Sequence, residues 1–387
     1  MKKNTRAAWL GAGIAAALVL TGCSSGGGTT TEEVPAGEVS EFAAAAQAVV
    51  DVASQPVDEF VAPGPAIDTS AIDGGTVWFI AASLEIPLFK NIADSLESVF
   101  SEFNVEVQDC DGKFTAPDAV ASCLDQAVSS GASAVIVGSV PYGVAPNGFD
   151  AVVEAGIPLV YTMDLPVGDG NPSEVAYITK DSIKMQSWLT NWVIADSNAE
   201  ANTLVVSQTD HEGLIVWNQV GVLDVYPEAC PDCVIKHIET NTGQLDKLVT
   251  DVSAQIVSNP AIAWVQAEAD VLAQPVIQGV QGAGKTVDDI KITTMDGGLD
   301  TVQSLAAGQW IGATAAWNSD ALAWYAADQA LRLLTGNEAN IAVDFPFLRL
   351  LTAENVGDLN VSAEGWSDGS WFGTADYRAG CLELWGK

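Results

Sequence analysis

Two doubly wound, parallel-sheet α/β lobes joined by a hinge are the fold this sequence predicts. Three observations carry that expectation. Short apolar runs of strand length alternate with amphipathic helical patterns from Thr76 onward. The alternation comes in two successive sets. A chain of 387 residues, 48% of them hydrophobic, is long enough to bury two cores.

Before the alternation begins, residues 38–54 read as a helix, and Pro56, Pro63 and Pro65 mark an irregular connection up to residue 73. The first strand is expected at 76–82, TVWFIAA. A helical pattern follows in which Ile92, Leu96, Val99 and Phe103 share one face. Further strands are expected at 105–107, 134–137 and 157–161, with a helix around Val120 and Leu124. The second set places strands at 203–207, 234–238, 261–266, 290–295 and 310–315, separated by helical stretches. Ligands of such sheets sit beyond the C-terminal ends of the strands, so a cleft between two lobes is the expected site.

The start of the chain has a different character. Lys2, Lys3 and Arg6 precede an apolar run over 7–20, too short to span a bilayer comfortably but right for a signal sequence. It ends in Leu20-Thr21-Gly22-Cys23, which resembles the bacterial lipobox, in which the cysteine is lipidated. The expectation is a leader over 1–23, a lipid on Cys23, and an extracytoplasmic protein anchored to the bacterial cell membrane. Residues 24–37, SSGGGTTTEEVPAG, lack the apolar content for a core and read as a flexible tether. No later segment holds 18 uninterrupted apolar residues.

The formal charge of −35, from 15 basic and 50 acidic residues, repels phosphate backbones and anionic headgroups. Nucleic acid is thereby excluded as a partner, and the membrane is met only through the anchor. Six cysteines fit an oxidising compartment. Cys230-Pro231-Asp232-Cys233 reads as a loop disulfide, because it follows a helical stretch and precedes a strand, the reverse of a redox motif. Cys110 at a strand end and Cys123 on the next helix can staple one βα unit, which leaves Cys381 over.

Several short motifs together resemble the ribose/galactose-type sugar-binding proteins of ABC importers, the type I periplasmic solute-binding fold. After the first strand, Ile86-Pro87-Leu88-Phe89 is similar to the family's aromatic turn. Ala155-Gly156-Ile157-Pro158-Leu159-Val160 resembles its "aGIPV" strand and leads to Asp164. Thr294-Met295-Asp296-Gly297 is similar to its "GFDG" motif. The likeness runs over roughly 75–351. It implies a first lobe of 74–178 plus 317–345 and a second of 179–316 plus 346–362. Residues 363–387 form an extra tail, with Trp366, Trp371 and Trp385 able to pin it to a lobe. It implies a small polar ligand, a sugar first, and a membrane permease as partner.

A sugar offers hydroxyls and weakly apolar C–H faces, so its site needs carboxylates and aromatic plates. The candidates are Asp164, Glu268, Asp270 and Asp296, with Phe89, Trp217 and Trp317 as plates. The pattern departs from the family at two places where an arginine is common, at Leu165 and near Val216 and Trp217. A cationic or nucleoside-like ligand is therefore the rival, and a ligand-sensing receptor is a further alternative.

Enzyme readings fare worse. Residues 279–286, GVQGAGKT, fit the nucleotide-binding loop pattern, but the mechanism needs a strand before and a helix after, and here the order is reversed. His211 and His237 are the only histidines and have no converging ligands, so neither a metal nor another cofactor is expected.

Overall fold

The computed structural model describes residues 39–387 except 165, 167–170, 172, 341 and 342. The expected leader, the lipid-bearing Cys23, the tether and Leu165 lie outside the described residues.

Twelve strands form two six-stranded sheets. The first sheet contains β1 (Thr76–Ala81), β2 (Glu106–Asp111), β3 (Ala134–Gly138), β4 (Leu159–Thr162), β5 (Val175–Thr179) and β11 (Val343–Asp344). Its order is β11-β5-β4-β3-β1-β2, and every pair is parallel. The second sheet contains β6 (Asn202–Gln208), β7 (Val234–Thr240), β8 (Trp264–Ala267), β9 (Lys291–Asp296), β10 (Ile311–Trp317) and β12 (Leu348–Thr352), in the order β12-β10-β9-β8-β6-β7. Here β12 runs antiparallel to β10, so the second lobe is parallel except at one edge. The chain passes between the sheets three times, after β5, after β10 and after β11.

Strand composition follows position. All five residues of β3, AVIVG, are buried, because helices cover both faces of a central parallel strand. The edge strand β2, EVQDCD, carries carboxylates and has no fully buried residue, which discourages edge-to-edge pairing. Proline stands at the start of helices Pro87–Ser101, Pro117–Ser130 and Pro146–Glu154, where its missing N–H has no intrahelical partner to lose. The early helix runs Glu41–Ala53 and packs on helix Ser182–Asp196 beside the second sheet.

Both proposed cysteine pairs are bonded, Cys110 to Cys123 and Cys230 to Cys233, and Cys381 is free and buried. The loop-like motif at 279–286 straddles the end of helix Ala273–Gly282, with β9 following it, and Lys285 Nζ lies 3.5 Å from the Pro260 carbonyl.

Helix Ser319–Leu334 follows β10 and packs against β3, β4 and β5 of the first sheet. It is buried almost from end to end, because the tail covers its outer side. The Trp385 indole stacks on Trp324 with ring centroids 5.6 Å apart, and its Nε1 donates to Asp328 Oδ1 at 2.9 Å. Asp328 also accepts from Arg332 Nε at 2.7 Å and from Gln329 Nε2 at 2.7 Å. At the other end of the helix, Asp320 accepts from Tyr377 Oη at 2.6 Å and Arg378 Nε at 2.9 Å.

The segment before β1 and the tail are stitched to each other. Val57 donates its N–H to Phe372 and accepts from Ala375. Gly373 makes this contact feasible: a Cβ there would stand 2.2 Å from the Val57 carbonyl oxygen, and its φ of +130° is one that L side chains avoid. Arg349, on β12 of the second sheet, donates to Ser54 O at 2.9 Å and to Trp371 O at 2.7 Å. Further along, Ile67 and Thr69 bond the backbone of Leu384 and Trp385 above the first lobe. The joined segments therefore hold both lobes.

Candidate functional site

The carboxylates expected to carry ligand chemistry all sit at strand ends. Asp164 follows β4, Glu268 and Asp270 follow β8, and Asp296 ends β9. Trp317 ends β10.

Asp296 has a backbone φ of +117°, rare for a residue with a side chain, and Gly297 follows at +71°. A Cβ on Gly297 would stand 2.3 Å from the Ala316 Cβ, so only glycine lets the chain turn there. The turn keeps the carboxylate beside the neighbouring strand end. Asp296 Oδ1 accepts from Trp317 Nε1 at 2.9 Å and from Lys180 Nζ at 3.0 Å. Lys180 immediately follows β5 of the first sheet, so this pair joins the two sheets. Its ammonium also lies 4.8 Å from the centre of a Trp317 ring. The Lys180 side chain is only 5% exposed, against 20% for that of Asp296.

Glu268 is fully buried. Its Oε2 accepts the Gln208 backbone N–H at 2.6 Å, and its Oε1 has no hydrogen-bond partner among the described residues. Burial pushes this carboxyl well above the usual glutamate range, and the negative charges of Asp296 and Asp210 push the same way against Lys180. Asp270 Oδ2 accepts the Gly298 N–H at 2.6 Å, and burial together with Asp296 raises its pKa to about 8. In the first lobe, burial raises Asp164 to about 8, opposed in part by a hydrogen bond from the Val140 backbone, and its Oδ2 has no partner among the described residues. An unpaired buried polar atom costs about 1–3 kcal/mol, and these oxygens have no partner among the described residues.

Glu268, Asp270, Asp296, Lys180 and Trp317 thus form one electrostatically connected group. No described contact links Asp164 to it across the cleft. The aromatic candidates are packed rather than presented. Phe89 is 5% exposed and lies against Gly138, where a Cβ would be 3.3 Å from its ring. Trp217 is 7% exposed and meets His211 edge to face at 5.8 Å. Trp317 is 3% exposed, with its ring against Lys180. His211 is held toward its neutral form by burial.

Sequence reasoning missed Lys180, Gln208 and Asp210. The signal for Lys180 is the run Val175-Ala176-Tyr177-Ile178-Thr179, an apolar strand with a lysine at its C-terminal end. No group of three or more His, Cys, Asp or Glu among the described residues is arranged to hold a metal ion. Two cavities lie away from these strand ends, one of about 590 Å³ between helices Ala273–Gly282 and Leu299–Ala306, and one of about 150 Å³ lined by Tyr142, Tyr161 and Tyr177.

Residues 77–338 match the model of a family described as the periplasmic binding protein domain. No curated protein sequence matches the chain. Many solved structures share the fold. A 5-methylthioribose transporter solute-binding protein from Thermotoga lettingae, in complex with 5-methylthioribose, superposes with a TM-score of 0.67 at 16% identity, covering 80% of this chain and 96% of that one. A carbohydrate transporter solute-binding protein from Agrobacterium radiobacter, in complex with D-arabinose, gives 0.63 at 18% identity over 74% and 96%. An ABC sugar transporter subunit from Rhodobacter sphaeroides gives 0.62 at 19% identity over 73% and 99%.

Proposed function

Because the chain belongs to the periplasmic binding protein domain family, whose members bind solutes without transforming them, we propose that it captures a neutral sugar or sugar-like polyol between its two lobes for an ABC importer. The observation that carries this reading is the set of buried carboxylate oxygens at the strand ends, Glu268 Oε1 above all, that lack a donor. Sugar hydroxyls both donate and accept, so they can satisfy these carboxyl groups, and each such hydrogen bond is worth roughly 0.5–1.5 kcal/mol. The bound sugars of the Thermotoga and Agrobacterium relatives support the ligand class. The lipobox-like Cys23 supports a location outside the cell, with the chain lipid-anchored beside a permease.

A thermal-shift screen of sugars, polyols, nucleosides and amines, followed by calorimetric titration at low and high salt, tests the reading. A neutral polyol binds with nearly the same affinity in both salts. Binding of an amine alone, with steep loss of affinity in salt, sinks the sugar assignment.

A further inference from the structure

We propose that Lys180 is a specificity-determining residue: its ammonium permanently fills the cation subsite made by Asp296 and Trp317, and so excludes amines from a cleft that would otherwise attract them. The excess of carboxylates makes the question pressing. Glu268, Asp270 and Asp296 stand at the ends of β8 and β9, and Lys180 Nζ contacts Asp296. An ion-paired carboxylate such as Asp296 attracts cations. The strongest place for one pairs a carboxylate with an indole face, and that is where Lys180 Nζ sits, 3.0 Å from Asp296 Oδ1 and 4.8 Å from the ring centre.

A tethered ammonium competes at high effective concentration against any free amine. To bind there, an amine must break the ion pair, and the buried lysine then loses its partner. The two N–H groups of Lys180 not used on Asp296 remain able to donate to the oxygen of a neutral ligand. Lys180 thus supplies, from a strand of the other sheet, the positive donor that the sequence lacks at Leu165 and Val216. The effect on a neutral polyol and on an amine is opposite in sign, which is what defines selectivity.

This inference rests on the strand ends being the ligand site, and its test needs no knowledge of the natural ligand. The probe is n-butylammonium, the lysine side chain detached from its backbone. Calorimetry and thermal shift are run on wild type, Lys180→Ala, Lys180→Arg and the double variant Lys180→Ala/Asp296→Asn. Lys180→Ala is expected to bind the probe at least about ten-fold more tightly than wild type, with the gain absent from Lys180→Arg and lost in the double variant. 1-Butanol, of the same shape without charge, produces no such gain. Should Lys180→Ala not fold, Lys180→Gln with methylammonium carries the same expectation. Wild type binding the probe as tightly as folded Lys180→Ala, or neither binding it, overturns the inference. A gain in Lys180→Ala while no sugar binds any variant upholds it and instead removes the sugar reading.

Discussion

Two buried ion pairs in this protein look alike and are built for different ends. In helix Ser319–Leu334, Asp328 is fully buried and takes donors from Arg332, Gln329 and the Trp385 indole. At the strand ends, Lys180 and Asp296 are paired, but beside them Glu268 keeps a buried oxygen with no partner. The first arrangement is closed, with donors matched to acceptors, and it glues the tail to the first lobe. The second is open by one or more donors. Matched burial marks structure; unmatched burial at the mouth of two sheets marks a place for something else.

The comparison breaks most readily at Arg332. Arg332→Ala leaves Asp328 charged and buried without its cation, and is expected to destabilise the fold by about 3–5 kcal/mol in denaturant unfolding. Ligand affinity of the folded fraction should not change. If stability is untouched, the Asp328 pair is not the closed network described.

Glu268→Gln is expected to do the reverse. The amide oxygen can still accept from the Gln208 N–H, and a buried carboxylate is removed, so stability should shift by less than about 1 kcal/mol. Ligand affinity should fall by about 2- to 10-fold, since the amide cannot reproduce the hydrogen bond of a protonated carboxyl to the ligand. A large stability loss with affinity intact would move Glu268 from the second class to the first.

The pH dependence of Asp164 sharpens the contrast in another way. Its folded pKa of about 8 lies above the ordinary aspartate value. The folded state therefore holds a proton that the unfolded state has released. This contribution to stability is fully present below about pH 4 and is lost as pH rises through about 8, at up to roughly 1.4 kcal/mol per pH unit. Asp164→Asn should flatten the stability profile between those limits. An unchanged slope would show that Asp164 titrates alike in both states.

Much of the fold was legible because central parallel strands are apolar on both faces. The runs at 76–82, 134–137, 203–207 and 290–295 could hardly be read otherwise. The strands that escaped notice were β5, β11 and β12. β11 has two residues, and β12 pairs antiparallel, with Arg349 interrupting its apolar run. Missing β5 hid Lys180, because a lysine is visible as a cleft residue only once the strand before it is recognised. The carboxylate positions were readable from motifs that follow strands. Their pairings were not: Lys180 and Asp296 are 116 residues apart, and nothing local to either reveals the other. The aromatics illustrate the same limit, since a tryptophan packed under a cleft and one displayed in it have the same local sequence.

The stitched segments at the two ends of the chain have a mechanical consequence. On the proposed function, the cleft opens by rotation about the three passages between the sheets. The ribbon formed by Val57, Phe372 and Ala375 lies outside those passages, with Arg349 gripping it from the second sheet and Ile67 and Thr69 holding it over the first. It works as a spring in parallel with the hinge: any swing of one lobe must stretch or shear its hydrogen bonds. On that reading the angular range of the open state is set in part by residues before the first strand and after the last, away from the strand ends of the candidate site.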